Sequence, residues 1–317
     1  MSLYRIIHTT TYRYRRPVTF DAHRLMFRPR DSFDQKLISS SLRVWPTHSA
    51  IRWSHDVFGN CVAEVSFSGT AQELRFETNL LVDHTPDAAP HFTIDQEALS
   101  YPVHYSPEEA PDLASTIAQQ FPEDAYELQN WARQFVSTSD RPKTTNVLMT
   151  MCYGIREAFA YQRRTEHGTQ SPLATLKYKR GSCRDFALLM MEAVRSLGFA
   201  ARFVTGYLYV PARGHATNLG GGSTHAWCQV YLPGAGWVEF DPTNGIVGNR
   251  DLIRVAVARE PRQAVPLSGS YHGARSDFLD MDVRVNVTYE PPGSGQRSGQ
   301  ASSVITENLR RECGPKV

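Results

Sequence analysis

Three short segments contain the residue types that acyl transfer through a thioester requires. In chain order they hold Cys183 within Gly-Ser-Cys-Arg-Asp, His225 within Thr-His-Ala-Trp, and Asp241 within Phe-Asp-Pro-Thr-Asn. A cysteine can serve as the nucleophile, a histidine as the base, and an aspartate as the group that orients the base. We therefore predict that these three residues form a catalytic triad.

Cys183 differs from the other cysteines because it lies at the start of a predicted helix. Ser182 before it is a favourable N-cap residue. Apolar residues then recur at helical spacing until Gly198, namely Phe186, Leu189, Met190, Ala193, Val194 and Leu197. Unpaired N–H groups, the helix dipole and the charge of Arg184 would surround the sulfur and favour its thiolate. The commoner case, an inert buried cysteine, fits Cys152 better.

His225 and Asp241 flank a predicted β-hairpin. Residues 226–232 and 237–240 are predicted as strands around the turn Pro-Gly-Ala-Gly, after an earlier strand at 200–210. Both residues lie at the open end of the hairpin, where neighbouring strands can bring them together. Counted from the turn, they miss direct opposition by a few residues, so we expect either a bulge or a histidine just before the ladder begins. A single histidine or an Asp-Pro turn alone would indicate no chemistry; their occurrence together with Cys183 does.

These segments, together with residues 195–208, resemble the bacterial transglutaminase-like proteins, which belong to the papain-like group of cysteine enzymes. The resemblance implies the family's Cys-His-Asp triad at Cys183, His225 and Asp241. It extends to the amino-terminal β domain of this bacterial subfamily through His8, Thr9, Thr11, Tyr12, Tyr14, Pro17, Arg28-Pro29-Arg30 and Asp56-Val57-Phe58-Gly59-Asn60.

Further candidates for substrate binding or oxyanion stabilisation are Tyr161, Ser182 and Trp227. Tyr161 matches a tyrosine that recurs in the family, which implies a second oxyanion donor, with ordinary packing as the alternative. Trp227 and Trp237 flank the hairpin and would form walls of the acyl pocket, although a tryptophan more commonly packs in the core.

The predicted function is cysteine-dependent acyl transfer on peptide or glutamine amides through a thioester. Hydrolysis by a protease, amidase or deamidase is favoured, because bacterial members of this layout resemble peptidases. One alternative is a protein-glutamine transglutaminase that transfers the acyl group to an amine, and the other is a non-catalytic peptide-binding module. The resemblance also implies a peptide or protein substrate and an association with an ATP-grasp-type ligase system.

Composition restricts the other classes of function. Lys plus Arg number 34 against 32 Asp plus Glu, so neither nucleic acid nor a membrane surface is expected as a partner. No apolar run reaches the length of about 18 residues that a membrane span needs. The five cysteines form no disulfide framework or Cys-x-x-Cys pair, and no cofactor, zinc site or calcium loop is expected. The first residues alternate like a strand rather than a signal peptide, which predicts a cytoplasmic protein.

The predicted fold class is α+β. An all-β, sandwich-like amino-terminal domain at 1–102 is indicated by alternation in segments such as 4–8, 42–45 and 61–67. The resemblance implies a papain-like transglutaminase core at 103–265, with helices packed on an antiparallel sheet, and helical spacing at 112–118, 126–135 and 146–159 agrees with it. Alternation at 281–288 predicts a returning β-strand within 266–290. Residues 291–317 have the composition of a flexible tail.

Overall fold

The computed structural model describes residues 2–85, 93–164, 167–210, 219 and 221–291. The strands are β1 (Ser2–Phe20), β2 (His23–Leu25), β3 (Gln35–Trp45), β4 (His48–His55), β5 (Cys61–Phe67), β6 (Ala71–His84), β7 (Ala160–Tyr161), β8 (Arg180–Gly181), β9 (Ala201–Leu208), β10 (His225–Leu232), β11 (Gly236–Asp241), β12 (Ile246–Val247), β13 (Leu252–Ala258), β14 (Leu267–Ser268), β15 (Tyr271–His272) and β16 (Phe278–Glu290). The helices are α1 (Glu109–Ile117), α2 (Ala125–Arg133), α3 (Thr144–Ala158), α4 (Pro172–Tyr178) and α5 (Cys183–Ser196). Short 3₁₀ turns cover Gln96–Ala98, Pro122–Asp124, Pro261–Ala264 and Arg275–Asp277.

Two antiparallel sheets form what we call the amino-terminal sandwich. One sheet has the strand order β15-β1-β6-β3, with β16 also paired to β1, and the other has the order β14-β2-β5-β4. Alternate residues of both sheets point into a shared apolar core, which includes Tyr14, Phe20, Leu25, Val65 and Phe76. The sandwich-like fold predicted from the alternating sequence is confirmed.

The late strand predicted from residues 281–288 returns to this sandwich. β16 runs antiparallel to β1, from the pair Leu3 and Glu290 to the pair Tyr14 and Phe278. The short strands β14 and β15 pair with β2 and β1. The tail predicted at 291–317 lies, from residue 292 onwards, outside the described residues.

The helices pack on one antiparallel sheet, with the strand order β12-β11-β10-β9-β13, which we call the core sheet. The short strands β7 and β8 form a separate parallel pair. The apolar face predicted for α5 packs against this sheet, with Phe186, Leu189 and Met190 in one cluster with Phe203 and Val230. Fully burying each such side chain contributes about 2 kcal/mol. The predicted α+β class, with helices on an antiparallel sheet, is confirmed. Among the described helices, none has the length and apolarity that a bilayer crossing requires.

The sandwich and the core sheet meet along the edge strand β13. Apolar residues of β1 and β6 pack against Tyr207, Ile253 and Val255. Two side-chain amides also bind the β13 backbone: Gln35 accepts from the Arg254 N–H and donates to its C=O at 3.0 and 2.9 Å. Asn60 does the same at Val257, at 2.9 and 2.7 Å. These amides satisfy backbone groups that an exposed edge would otherwise present for further strand pairing. The motif residue Asn60 therefore has a structural explanation.

Candidate active site

Cys183 is the first residue of α5, as the sequence predicts, and 8% of it is exposed. The buried carboxylate of Asp185 holds this helix start. Its Oδ2 accepts from the Ser182 N–H and hydroxyl, both at 2.8 Å, and its Oδ1 accepts from Arg164 Nη1 at 2.8 Å and the Gln170 N–H at 2.7 Å. Burial would raise the pKa of Asp185, but these hydrogen bonds lower it. The turn that carries the sulfur is therefore fixed by an ionised side chain.

His225 and Asp241 are in direct contact. The register of β10 with β11 ends at the pair Cys228 and Phe240, so His225 lies beyond that ladder, while on its other side it pairs with Gly206 of β9. Of the two arrangements predicted, the structure has the histidine before the ladder rather than a bulge. His225 Nε2 donates to Asp241 Oδ2 at 2.8 Å, and both side chains are fully buried.

The environment favours an imidazolium–carboxylate pair. Burial would raise the pKa of Asp241, but the charge of His225 and hydrogen bonds from His225, Asn244 and the Thr243 N–H lower it. Burial would lower the pKa of His225, but the charges of Asp241 and Cys183 and hydrogen bonds to both raise it to about 10. These contacts therefore stabilise the protonated form of the imidazole.

The second ring nitrogen of His225 is the one available for chemistry. Nδ1 is buried and has no hydrogen-bond partner of regular geometry among the described residues. Nevertheless, the Cys183 side chain raises the pKa of His225 through both charge and hydrogen bonding. Because Nε2 is occupied by Asp241, Nδ1 is the nitrogen that faces the sulfur. Such contacts are often long or poorly aligned in a structure without substrate.

Tyr161 lies beside the helix start. It is in β7, where it pairs with Gly181 of β8, two residues before Cys183. Burial and the charge of Cys183 raise the pKa of Tyr161, so its hydroxyl keeps the proton that an oxyanion donor needs. The position is compatible with the predicted role.

The two other candidates, Ser182 and Trp227, require correction. Ser182 is 4% exposed and donates its hydroxyl to Asp185, so it stabilises the turn instead of facing a substrate. Trp227 is fully buried and cannot form a pocket wall. Its ring stacks beneath His225, with centroids 6.0 Å apart and planes inclined by 29°.

Asn244 is a further site residue, although its sequence context alone predicts only a turn. Its Nδ2 donates to Asp241 Oδ2 at 2.7 Å and to the Leu219 carbonyl at 3.2 Å, and its Oδ1 accepts from the Leu219 N–H at 2.6 Å. It therefore supports the carboxylate and holds a backbone segment near it. The spacing Asp-x-x-Asn at a turn, where local side-chain hydrogen bonds are common, could have indicated this role.

Two sizeable cavities lie away from Cys183. One, of about 610 Å³, is bounded by residues 30–34 of the sandwich and residues 245–251 of the core. The other, of about 390 Å³, is lined by Tyr231 and Trp237 near the turn of the hairpin. Within the described ranges, no three His, Cys, Asp or Glu side chains group as a metal ion would require. Independence from metals and cofactors stays a prediction.

Two family models match the chain. Residues 4–83 match the bacterial transglutaminase-like N-terminal region, and residues 129–242 match the transglutaminase-like superfamily. The first match covers most of the sandwich strands that precede the core, and the second includes Cys183, His225 and Asp241.

Full-length relatives and one solved structure agree with these matches. An uncharacterized protein of Mycobacterium tuberculosis is 28% identical over 295 residues, covering 89% of this chain and 92% of the relative. A second uncharacterized protein, from Mycobacterium leprae, is 25% identical over 288 residues. The match covers 90% of this chain and 98% of the relative. A crystal structure from Cytophaga hutchinsonii, provisionally named a cysteine protease, superposes with a TM-score of 0.67 at 21% identity, covering 90% and 91% of the two chains, and so shares the fold. The resemblance seen in the sequence is thereby confirmed: residues 4–83 form the amino-terminal region found in bacterial transglutaminase-like proteins, and residues 129–242 belong to the transglutaminase-like superfamily.

Proposed function

We propose that the protein is a cysteine-dependent enzyme that cleaves an amide of a peptide or a glutamine side chain through a thioester on Cys183. The observation that carries this proposal is the buried 2.8 Å hydrogen bond between His225 and Asp241, next to a cysteine that opens α5. Packing alone does not explain why His225 and Asp241 form a buried charged pair. Nor does it explain why the other ring nitrogen of His225 faces the Cys183 thiol. Perturbed and desolvated titratable groups of this kind are typical of catalytic sites.

In the acylation step, the Cys183 sulfur attacks the amide carbonyl carbon and the carbonyl oxygen becomes an oxyanion. The Cys183 N–H, unpaired at the helix start, and the Tyr161 hydroxyl would donate to this oxygen, and one such donor is typically worth about 3 kcal/mol. The C–N bond then breaks as His225 Nδ1–H gives its proton to the departing nitrogen. Asp241 stabilises the imidazolium throughout and fixes which nitrogen is turned to the substrate.

In the second step, an acceptor attacks the thioester while His225 removes its proton, and the Cys183 sulfur leaves. We propose water as the acceptor, which makes the enzyme a hydrolase. A transferase would instead have to hold water away from its thioester, so incorporation of a labelled amine distinguishes the two outcomes.

The test is to incubate wild-type protein and the Cys183→Ala variant with a library of glutamine-containing peptides, with and without a labelled primary amine. Mass spectrometry distinguishes the outcomes: fragments indicate proteolysis, the small mass gain of acid over amide indicates deamidation, and incorporated label indicates transfer. We expect hydrolytic products from the wild type and none from Cys183→Ala. Peptides that bind the wild type but are never altered would instead support a non-catalytic binding module.

A further inference from the structure

A continuous row of side chains leads from the sandwich to the underside of His225. Arg254 of β13 donates from Nη2 to Asp34 Oδ1 at 3.1 Å and from Nη1 to Glu239 Oε1 at 2.5 Å. Glu239 of β11 accepts at Oε2 from Trp227 Nε1 at 3.2 Å. The ring of Trp227 stacks on that of His225. Three of the links are hydrogen bonds and the last is a ring stack, and together they join residue 34 to the imidazole.

Stability does not explain why these groups are charged. Glu239 is 4% and Asp34 5% exposed, and apolar residues of similar volume commonly stabilise a fold as well as a buried ion pair does. Buried charged groups can instead select one geometry of the side chains around them. Here the geometry selected is that of the Trp227 ring, because Glu239 is its hydrogen-bond acceptor.

The charge of Glu239 also acts on the imidazolium through the ring. A carboxylate that accepts the indole N–H pushes electron density into the π system, and a cation near an aromatic face is attracted by that density. Burial raises the pKa of Glu239, whereas Arg254 opposes this shift. Burial also acts to raise the pKa of Asp34, but Arg254, Ser32 and Asn249 lower it, so a second carboxylate holds the guanidinium in place from the sandwich side.

We propose that Trp227 and Glu239 are positioning residues for His225, and that residues 32–34 of the sandwich hold them in place through Arg254. This inference rests on the proposed function, in which His225 acts as the base. The amino-terminal sandwich thereby helps to position the active-site histidine, because Ser32 and Asp34 both accept hydrogen bonds from the Arg254 guanidinium, each at 3.1 Å.

The test uses the full-length variants Glu239→Gln and Asp34→Asn, which keep side-chain shape and remove one charge each. Two quantities are measured on folded protein: the rate of Cys183 alkylation by iodoacetamide, followed by peptide mass spectrometry, and the nitrogen chemical shifts of the His225 ring by NMR. We expect alkylation to slow by about threefold to thirtyfold, the range typical of changes along a coupled network. The ring shifts are expected to move in both variants. A purely structural role would reduce thermal stability and leave both readouts unchanged.

Glu192→Gln is the matched control. It breaks another fully buried ion pair of the core, between Glu192 Oε1 and Arg195 Nη1 at 2.6 Å. We expect this variant to lose stability while Cys183 alkylation stays within about twofold of wild type.

Wild-type alkylation rates and ring shifts in both test variants would overturn the inference, as would an equal slowing in Glu192→Gln. If Glu239→Gln does not fold, Asp34→Asn decides the matter alone. If wild-type Cys183 reacts no faster than the partly exposed Cys61, the proposed function fails instead, and the ring shifts then decide the positioning inference by themselves.

Discussion

Replacing Asp241 with asparagine tests the electrostatics of the site, because the carboxylate has donors on both oxygens. Oδ2 accepts from His225 and Asn244, and Oδ1 accepts from the Thr243 N–H. An amide has only one oxygen, so in either orientation its NH₂ group faces a buried donor. Each unsatisfied donor costs about 1–3 kcal/mol. If the NH₂ faces His225, the ring must also carry its proton on Nδ1, which is the wrong tautomer for a base.

The loss of charge is the larger effect. The pKa of His225 rises from 6.5 to about 10, which corresponds to about 5 kcal/mol in favour of the imidazolium. Without Asp241, only the contact with Cys183 would oppose the effect of burial, so the pKa of His225 would fall and the imidazolium would be less favoured. The stabilisation from this raised pKa is complete below about pH 6.5 and is lost as the pH approaches the folded-state value, so Asp241→Asn should unfold more easily at neutral pH.

The assay is the rate of Cys183 alkylation by iodoacetamide between about pH 5 and about pH 8. In the wild type we expect fast alkylation across this range, because His225 retains its proton and supports a thiolate. In Asp241→Asn we expect the alkylation rate near pH 6 to fall by about 10²- to 10³-fold. This fall corresponds to less than the full free energy of about 5 kcal/mol, because the site relaxes around the amide. Peptide turnover should fall by up to about 10⁴-fold.

Thr243→Val is the control for this variant. It keeps the backbone N–H that binds Asp241 and removes a hydroxyl that is buried without a partner among the described residues. Its alkylation profile should match the wild type, and its stability should not decrease. If Asp241→Asn and the wild type have the same profile, the electrostatic reasoning about His225 is refuted.

Three further predictions concern the supports of the site. Gly206→Ala should destabilise the fold by about 3 kcal/mol in chemical denaturation, because a Cβ would lie 2.1 Å from the Ile253 carbonyl oxygen and 2.7 Å from the Trp227 ring; unchanged stability would contradict this packing. Asp185→Asn should lower the free energy of unfolding by about 3 kcal/mol at neutral pH. Because the pKa of Asp185 is lowered, the difference in stability from wild type should shrink below about pH 4. A difference that does not depend on pH would argue against an ionised Asp185. Adding a chelator should leave peptide turnover unchanged, and loss that Ca²⁺ restores would show calcium dependence.

The parts of the site that sequence predicts well are local in the chain. The start of α5 at Cys183 follows from an N-cap serine and apolar spacing within one helix. His225 and Asp241 are joined by one hairpin, so the turn fixes their approach. The α+β class follows from the change of period between the two halves of the chain.

The parts that sequence does not predict depend on distant contacts. Arg254 and Asp34 lie 220 positions apart in the chain, so no local pattern links them. Trp227 gave the misleading signal of a pocket aromatic, since its burial depends on the residues packed around it, including Gly206, which leaves room for its ring. Ser182 was expected near the substrate because nothing in its own segment shows that Asp185 would bind its hydroxyl.

The proposed chemistry requires that Cys183 forms a thioester with the acyl group of an amide substrate. The direct measurement is to mix the wild type with a peptide that it turns over, quench with acid on the timescale of one turnover, and map the adduct by mass spectrometry. We expect an acyl group on Cys183, a larger amount of it in Asp241→Asn if deacylation is the slower step, and none in Cys183→Ala. An adduct on another residue, or turnover that persists in Cys183→Ala, would contradict it.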